Sequence, residues 1–400
     1  MSLPPNEPFT NDIYHTPFDT PPTLPSTPPD EPYQYDFYFY GTGSEYFRIW
    51  IVNLLLTIIT LGIYSPWAKV RRLRYFYGNT ELNDESFDFT ANPKRILIGR
   101  LIAIGVYLVI SVLGEFSPVI AAVGGLLIMA LFPWLVRSTL RFRARNSQYK
   151  NVRFAFVGSL LGAYMLFGLI VFANILIIGA GYLSMQMNIG AGYLSIRMND
   201  VIGMMVMAIG FVLLAPFAWR LFKSYQFDNT QFGEMAFTWH ASMLDVYKAV
   251  WIPIGIGILA SIGGMVMMGL GAAFGSDIGV RIAVLVVIGM YLMVLLILPL
   301  IQACLHKVVW GNLTIGKSEF VLNDFSIFRF AFIQFTNYLM IGLTLGLFTP
   351  WAAVRLHRYK TQTLSLLSHD NFDELITPQM IEESALGEEI ADVFDIDVSW

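Results

Sequence analysis

TLGIYSPWAKVRRLRY, residues 60–75, comes back near the C-terminus as TLGLFTPWAAVRLHRY, residues 344–359. Aligned without gaps at a constant offset of 284, 10 of the 16 positions are identical: Thr60, Leu61, Gly62, Pro66, Trp67, Ala68, Val70, Arg71, Arg74 and Tyr75. Such a repeat has to be read before any single element, because it sets the unit from which the fold is built. Working outward, a looser form of the unit recurs. A proline stands at Pro66, Pro133, Pro216 and Pro299, and an asparagine follows 13 residues later at Asn79, Asn146, Asn229 and Asn312. A phenylalanine comes 8 residues after each, at Phe87, Phe154, Phe237 and Phe320. Pro350 opens a fifth, truncated copy, and FYFYGTGSEY at 37–46 resembles the strand-like start of one more unit. Proline suits the first turn of a helix, so the Arg-rich stretch after it reads as a short amphipathic helix. The asparagine marks the turn that stops it, and the Phe-x-Phe pieces alternate as a short strand does.

Between the motifs lie eight apolar segments, at about 46–64, 96–113, 118–136, 155–183, 201–222, 249–274, 280–303 and 327–349. Hydrophobic residues make up 56% of the chain and charged residues 14%, with a mean hydropathy of +0.58. A soluble domain carries about 25% charged residues, and a spanning helix needs about 20 apolar ones. The composition therefore points to an integral membrane protein. The expected fold is an all-α polytopic bundle of six clear transmembrane helices, paired as hairpins, with two shorter apolar segments that span or re-enter. Residues 1–36 hold 10 of the 19 prolines and no Lys or Arg, and read as a disordered tail. Residues 37–364 form the expected multi-pass domain, and 365–400 an acidic tail. A tandem repeat, IGAGYLSMQMN then IGAGYLSIRMN at 178–199, reads as a duplication in a tolerant loop. The single cysteine, Cys304, excludes a disulfide framework, and no basic stretch precedes the first apolar run, so no cleaved signal peptide is expected.

Positive residues decide orientation. The four complete motif loops hold 18 Lys and Arg, and the hairpin tips hold only Arg197 and Arg281. This places the motif loops in the cytoplasm. The first and eighth segments stand alone. If each crossed the membrane, the near-identical motifs at Thr60 and Thr344 would face opposite compartments. If each dips in and returns near Gly62 and Gly346, every motif stays on one side, which we favour.

FYGTGSEYF at 39–47, TLGIYSPWAKVRRLRYFYGNT at 60–80 and FDFTANPKRILIGRLIA at 87–103 resemble the YjgN-like family of bacterial inner-membrane proteins, a domain of unknown function. The resemblance covers about residues 37–364. It implies a multi-pass inner-membrane protein and supplies no catalytic or binding residues.

Function has to be read from polar residues in unusual places. Asn53 and Asn337 each lie seven residues before the TLG threonine, at matching places in the two lone segments. A polar group in hydrocarbon is costly unless paired. The plain reading is interhelical hydrogen bonding; the functional one is a pathway at a pseudo-twofold interface. Arg71 with Arg74, and Arg355 with Arg358, share helical faces. They anchor to anionic headgroups or frame the mouth of that pathway. Asn174, Gln302 and Gln334 have no repeat partner and read as packing contacts. The five histidines are scattered, and no metalloprotease, P-loop or dinucleotide fingerprint is present. No enzyme activity, cofactor or metal is expected, and the expected partners are anionic membrane lipids rather than nucleic acid. The first function hypothesis is transport or permeation of a small solute, ion or lipid. The competing one is a membrane scaffold or sensor.

Overall fold

The computed structural model describes residues 32–186, 193–272 and 276–368. Most of the proline-rich tail, the acidic tail and the middle of the 178–199 repeat lie outside these residues. The chain alternates short strands and helical pairs in the order β1 (Tyr33–Phe39), α1 (Gly43–Ile59), α2 (Ser65–Gly78), β2 (Thr80–Leu82), β3 (Glu85–Phe89), α3 (Pro93–Phe116), α4 (Pro118–Arg145) and β4 (Ser147–Tyr149). It continues with β5 (Val152–Phe156), α5 (Leu160–Gln186), α6 (Tyr193–Asp228), β6 (Thr230–Phe232), β7 (Met235–Trp239), α7 (Met243–Ala272), α8 (Ser276–Trp310) and β8 (Leu313–Ile315). The last elements are β9 (Ser318–Leu322), α9 (Ile327–Leu343), α10 (Thr349–Gln362) and β10 (Leu364–Ser368).

The ten strands form a closed antiparallel barrel, in the order β1-β10-β9-β8-β7-β6-β5-β4-β3-β2. This overturns the all-α expectation. Four of the even strands have three residues, and β10 and most odd strands have five, too short to leave a periodic signal. The barrel also closes by pairing Tyr33 with Ser368 and Asp36 with Ser365, across nearly the whole chain. Each motif repeat is thus one β–α–α–β unit, and five units surround a common axis. The backbone repeats faithfully: Tyr40, Thr90, Val157, His240 and Asn323 each donate their N–H to the carbonyl of Asn79, Asn146, Asn229, Asn312 and Thr363 in turn.

The conserved spacings within the chain have local causes. Asn79, Asn146, Asn229 and Asn312 each fold the side-chain amide back onto the carbonyl four residues earlier, at 2.7–2.8 Å. This satisfies one of the orphan carbonyls of a helix end. Thr363 does the same with its hydroxyl at 2.8 Å, so the fifth copy has a stop after all. Two-residue turns join the strands at the far end; Asn83 (φ 49°) with Asp84 (φ 59°), and Lys150 (φ 48°) with Asn151 (φ 62°), adopt the left-handed conformation that tight hairpins demand. The prolines behave in two ways. Pro66 and Pro350 open α2 and α10 as expected, whereas Pro133, Pro216 and Pro299 lie inside α4, α6 and α8, which run through. In a long apolar helix, packing against neighbours offsets the loss of one hydrogen bond.

The phenylalanine of each motif points into the barrel. Phe37, Phe87, Phe154, Phe237 and Phe320 pair across the ladder with Leu82, Tyr149, Phe232, Ile315 and Leu366. These ten side chains make one layer. Ring centroids of Phe37 lie 6.2 Å from Phe87 and 6.4 Å from Phe320, and Phe237 lies 6.2 Å from Phe320 and 6.3 Å from Phe154. Tyr149 fills the remaining gap, 4.8 Å from Phe87 and 6.1 Å from Phe232. Small barrels are filled by their own side chains, and this one is filled by aromatics.

In an antiparallel barrel the odd strands all leave at one end. All five helical pairs therefore emerge from that end and return to it. Among the described residues, six helices are long and apolar enough to cross a membrane: Pro93–Phe116, Pro118–Arg145, Leu160–Gln186, Asn199–Asp228, Met243–Gly271 and Asp277–Trp310. At most 17% of their apolar windows is buried inside protein, so their surroundings have to be lipid. The α1–α2 and α9–α10 pairs are shorter: α1 and α2 have 17 and 14 residues, against 24 and 28 in α3 and α4. The differences of 7 and 14 residues are about 10–20 Å at 1.5 Å per residue.

Truncating the buried Phe232 to alanine should cost about 3–5 kcal/mol, measured as a fall in Tm of the detergent-solubilised protein. An unchanged Tm would mean that the barrel is not a cooperative part of the fold.

Candidate functional site

The two short hairpins are built alike. Leu61 and Leu345 both have φ 50°, and Gly62 and Gly346 both have φ 92°, a conformation that glycine adopts without strain. The threonine of TLG closes the tip. Thr60 Oγ1 donates to Leu56 O at 2.7 Å and accepts from Tyr64 N at 3.0 Å; Thr344 makes the equivalent bonds to Met340 O and Phe348 N at 2.7 and 3.0 Å. Gly62 N and Gly346 N reach back to Thr57 O and Ile341 O. Every backbone N–H of the turn thus finds an acceptor within it, while Leu61 and Leu345 are each 94% exposed. With every N–H of the turn bonded and an apolar leucine at its tip, the cost of placing this backbone at membrane depth is lowered. TLG occurs only in the first and last copies because only those hairpins turn here. They are neighbours around the barrel, since β9, β10, β1 and β2 are consecutive.

Asn53 and Asn337 lie below these tips and are buried, at 6% and 1% exposure. Asn337 Nδ2 donates to Ala352 O of α10 at 3.2 Å and to Gln334 Oε1 at 3.4 Å. The Oδ1 atoms of both asparagines are buried without a hydrogen-bond partner among the described residues. The two side chains do not bond to each other; α1 packs on α2 and α10, whereas α9 packs on α8 and α10. Gln302, Gln334 and Tyr338 do come together, joining α8 to α9 by bonds of 3.1–3.4 Å. Asn174 turns back to Ile170 O at 2.8 Å.

The four candidate arginines divide. Arg71 lies on the outer face with its guanidinium 5.8 Å from the Tyr64 ring, and Arg355 Nη1 donates to Thr336 Oγ1 at 2.8 Å. Arg74 and Arg358 have structural partners. Arg74 donates to Phe89 O (3.0 Å) and Ala91 O (3.3 Å), and Arg358 to Gly41 O (2.8 Å). Each ties its unit to the strand exit of the next. Arg137 and Arg220 do the same job, to Gly158 O at 2.6 Å and Ala241 O at 3.4 Å, though they sit four residues after their prolines rather than eight. Neither was among the candidate arginines of the sequence, though the signal was present: each complete motif from Pro66 to Pro216 carries an arginine at one of those offsets.

Under the aromatic layer, the positions seven and ten residues after each motif proline hold Leu73 and Phe76, Leu140 and Arg143, Lys223 and Gln226, His306 and Val309, and His357 and Lys360. Lys223 is buried and donates to Gln226 Oε1 at 3.0 Å. His357 packs edge-on against Phe39 and Phe76, with Nε2 3.1 Å from Thr80 Oγ1. That hydroxyl donates to Phe76 O at 2.7 Å, which leaves His357 Nε2 as the donor. Burial, then the nearby Lys360 charge, pushes the His357 pKa down to about 4. No group of three or more His, Cys, Asp or Glu side chains able to hold a metal occurs among the described residues.

Among the described residues, six long apolar helices joined to a barrel of short strands define a polytopic membrane protein of five related units. The chain belongs to the family described as "Bacterial protein of unknown function (DUF898)", whose profile matches residues 34–393. It is 33% identical over 208 residues to inner membrane protein YjgN of Escherichia coli (strain K12), covering 50% of each chain. It is 35% identical over 127 residues to the protein of that name from Salmonella typhimurium, covering 32% of each. The chain thus aligns with about half the length of the first of these curated relatives and about a third of the second. No solved structure matches it.

Unfolded histidine titrates near ~6.5, while folded His357 stays neutral to about pH 4. Between these values the unfolded chain binds more protons, so the stability contribution is complete above the unfolded pKa and is lost as pH falls toward the folded one. His357→Gln should therefore shrink the loss of Tm between pH 6.5 and 4; identical pH profiles for the two proteins would contradict this linkage. Arg358→Ala should cost about 1–3 kcal/mol by leaving the Gly41 carbonyl without its charged donor, whereas the outer-face Arg71→Ala should change Tm little.

Proposed function

We propose that this protein provides a path for transport or permeation of a small solute, ion or lipid across the bacterial inner membrane. The observation that carries this reading is the pair of adjacent short hairpins. Around the barrel, three units send out helical pairs long enough to span, and two neighbouring units send out pairs that turn early. Interrupted segments in corresponding parts of a repeat protein favour a binding or transit site, and non-helical backbone at membrane depth is tolerated where it lines protein or a cavity. In this reading Asn53 and Asn337, each with a buried carbonyl oxygen, lie beside the path, and Arg71 and Arg355 stand at its mouth. The barrel and the motif ends face the cytoplasm, in keeping with the excess of Lys and Arg on that side.

A second reading has its own support. Arg71 and Arg355 are exposed on the hairpins' outer faces, where cations meet anionic headgroups at about 1 kcal/mol each. On that reading the protein is a scaffold or sensor that grips lipid or a partner through its Arg faces and tails.

Asn53→Leu combined with Asn337→Leu should abolish flux while the protein still inserts; unchanged flux would dispose of the proposed path. Deleting residues 1–36 or 370–400 should leave a transporter's phenotype intact and remove a scaffold's. Orientation can be read by replacing Cys304 with serine and adding single cysteines at Ser26 and Ser384. An impermeant thiol reagent should label both only after the inner membrane is opened, and labelling from the periplasm would reverse the assignment.

A further inference from the structure

The two TLG hairpins are apolar at the tip and cationic at the foot, with the same spacing in both. Ile59, Leu61 and Ile63 at the first tip match Leu343, Leu345 and Leu347 at the second, at the offset of 284, and all six are more than half exposed. Lower down stand four exposed arginines, Arg48 on α1, Arg71 on α2, Arg329 on α9 and Arg355 on α10. The first hairpin is uncharged from Ile49 to Ala68 and the second from Phe330 to Val354. Stretches of this length would cross the bilayer if they ran straight, but the turns at Gly62 and Gly346 fold each one back on itself. Ile63 and Leu347 lie eight residues before Arg71 and Arg355. That is about 12 Å at 1.5 Å per residue, against ~15 Å for half of the hydrocarbon core. The neighbouring unit fixes the height. Arg100 Nη1 of α3 donates to Ser65 Oγ, just past the first tip, at 2.6 Å. From Arg100, α3 runs on for 16 residues to Phe116, about 24 Å further. Most of the ~30 Å core therefore lies beyond the tip.

The four arginines are left with donors to give. Arg71 lies 5.8 Å from the Tyr64 ring and Arg329 5.5 Å from the Tyr359 ring, and Arg355 gives one of its five N–H groups to Thr336 Oγ1. None of the four pairs with a carboxylate among the described residues. Glu45, the one acid of α1 and α2, accepts from Thr42 N and Tyr75 Oη instead, and α9 and α10 contain no acid. Cations at this height meet headgroup phosphates, and an apolar tip above them meets acyl chains. We infer that the paired TLG hairpins are a docking surface for anionic phospholipid of the barrel-side leaflet alone, with acyl chains against the six tip residues and phosphate groups on Arg48, Arg71, Arg329 and Arg355. A protein partner suits this surface less well, because the tips emerge beside the spanning helices, at a level where lipid surrounds them. The inference rests on the second reading above, in which the Arg faces grip lipid, and it requires no flux.

The test uses the full-length protein carrying Cys304→Ser, in nanodiscs of phosphatidylcholine with increasing phosphatidylglycerol. Nitroxide labels on Leu61→Cys, Leu345→Cys and, for comparison, Leu126→Cys on α4 are read for collision with oxygen, which enters hydrocarbon, and with a water-soluble nickel chelate. Leu126 is exposed and lies seven residues before Pro133, well up its span. Both tip labels should report hydrocarbon, on the barrel side of the midplane and shallower than position 126. Tip labels that report water, or that lie beyond the midplane, overturn the one-leaflet surface while leaving the lipid-gripping reading intact. Tm against the phosphatidylglycerol fraction tests the headgroups. Arg71→Gln and Arg355→Gln should each raise the half-maximal fraction about fivefold. Arg71→Lys and Arg355→Lys should keep the wild-type response, which separates lost binding from a misfolded variant. Lys317→Gln, exposed at the far end of the barrel, should also behave as wild type. A response that survives in both glutamine variants overturns the assignment to these arginines, and no response in the wild type overturns it together with the lipid-gripping reading.

Discussion

The pairing of β1 with β10 is the constraint on which the rest depends. It joins Tyr33–Asp36 to Ser365–Ser368 and closes a sheet whose strands are too short to hold together as an open one. Closure removes every unpaired edge. It also sets direction, because each odd strand then delivers its helices to the same end and each even strand collects them there. The short hairpins have no freedom to cross the membrane and stay, since α2 and α10 must reach β2 and β10. The Ser365 hydroxyl reinforces the closure, donating to Asp36 Oδ1 at 2.6 Å.

The repeated motif performs several tasks that the alignment alone presents as one. Its asparagine ends a helix by folding back on that helix. Its phenylalanine fills the barrel. Its arginine ties one unit to the next through a strand-exit carbonyl, from either of two helical positions one turn apart. That tolerance explains why the arginine pattern drifts while the proline and asparagine spacings do not. An arginine has the reach to serve from four or eight residues after the proline, whereas a strand start cannot shift by one residue without turning its side chains to the other face.

Fivefold repetition also makes departures from it informative. Where three units extend their helical pairs, two end in TLG turns whose backbone N–H groups are all bonded within the turn. Where the inward register could be apolar throughout, as it is at Leu73 and Phe76, three units place cations and two place histidines. These departures lie on the membrane side of the barrel and on the axis beneath it, the two places where the units face something other than each other.

The repeat, its spacings, the six spanning helices and the early turn of the lone segments were all legible in the sequence. Apolar runs and glycine turns are local properties, and local chemistry dictates them. The strand character of Phe37–Phe39 and of the Phe-x-Phe pieces was legible too, but not the barrel. Strands of three to seven residues have no stability of their own and exist because partners up to 335 residues away complete their hydrogen bonds, as Tyr33 does with Ser368. The same holds for the candidate residues. Spacing placed Asn53 with Asn337 and Arg74 with Arg358, but only the packing of α10 between α1 and α9 separates the asparagines. Only the tertiary path of the chain puts Gly41 O within reach of Arg358. Sequence by itself determined what each unit is; closure of the barrel decided what the units share.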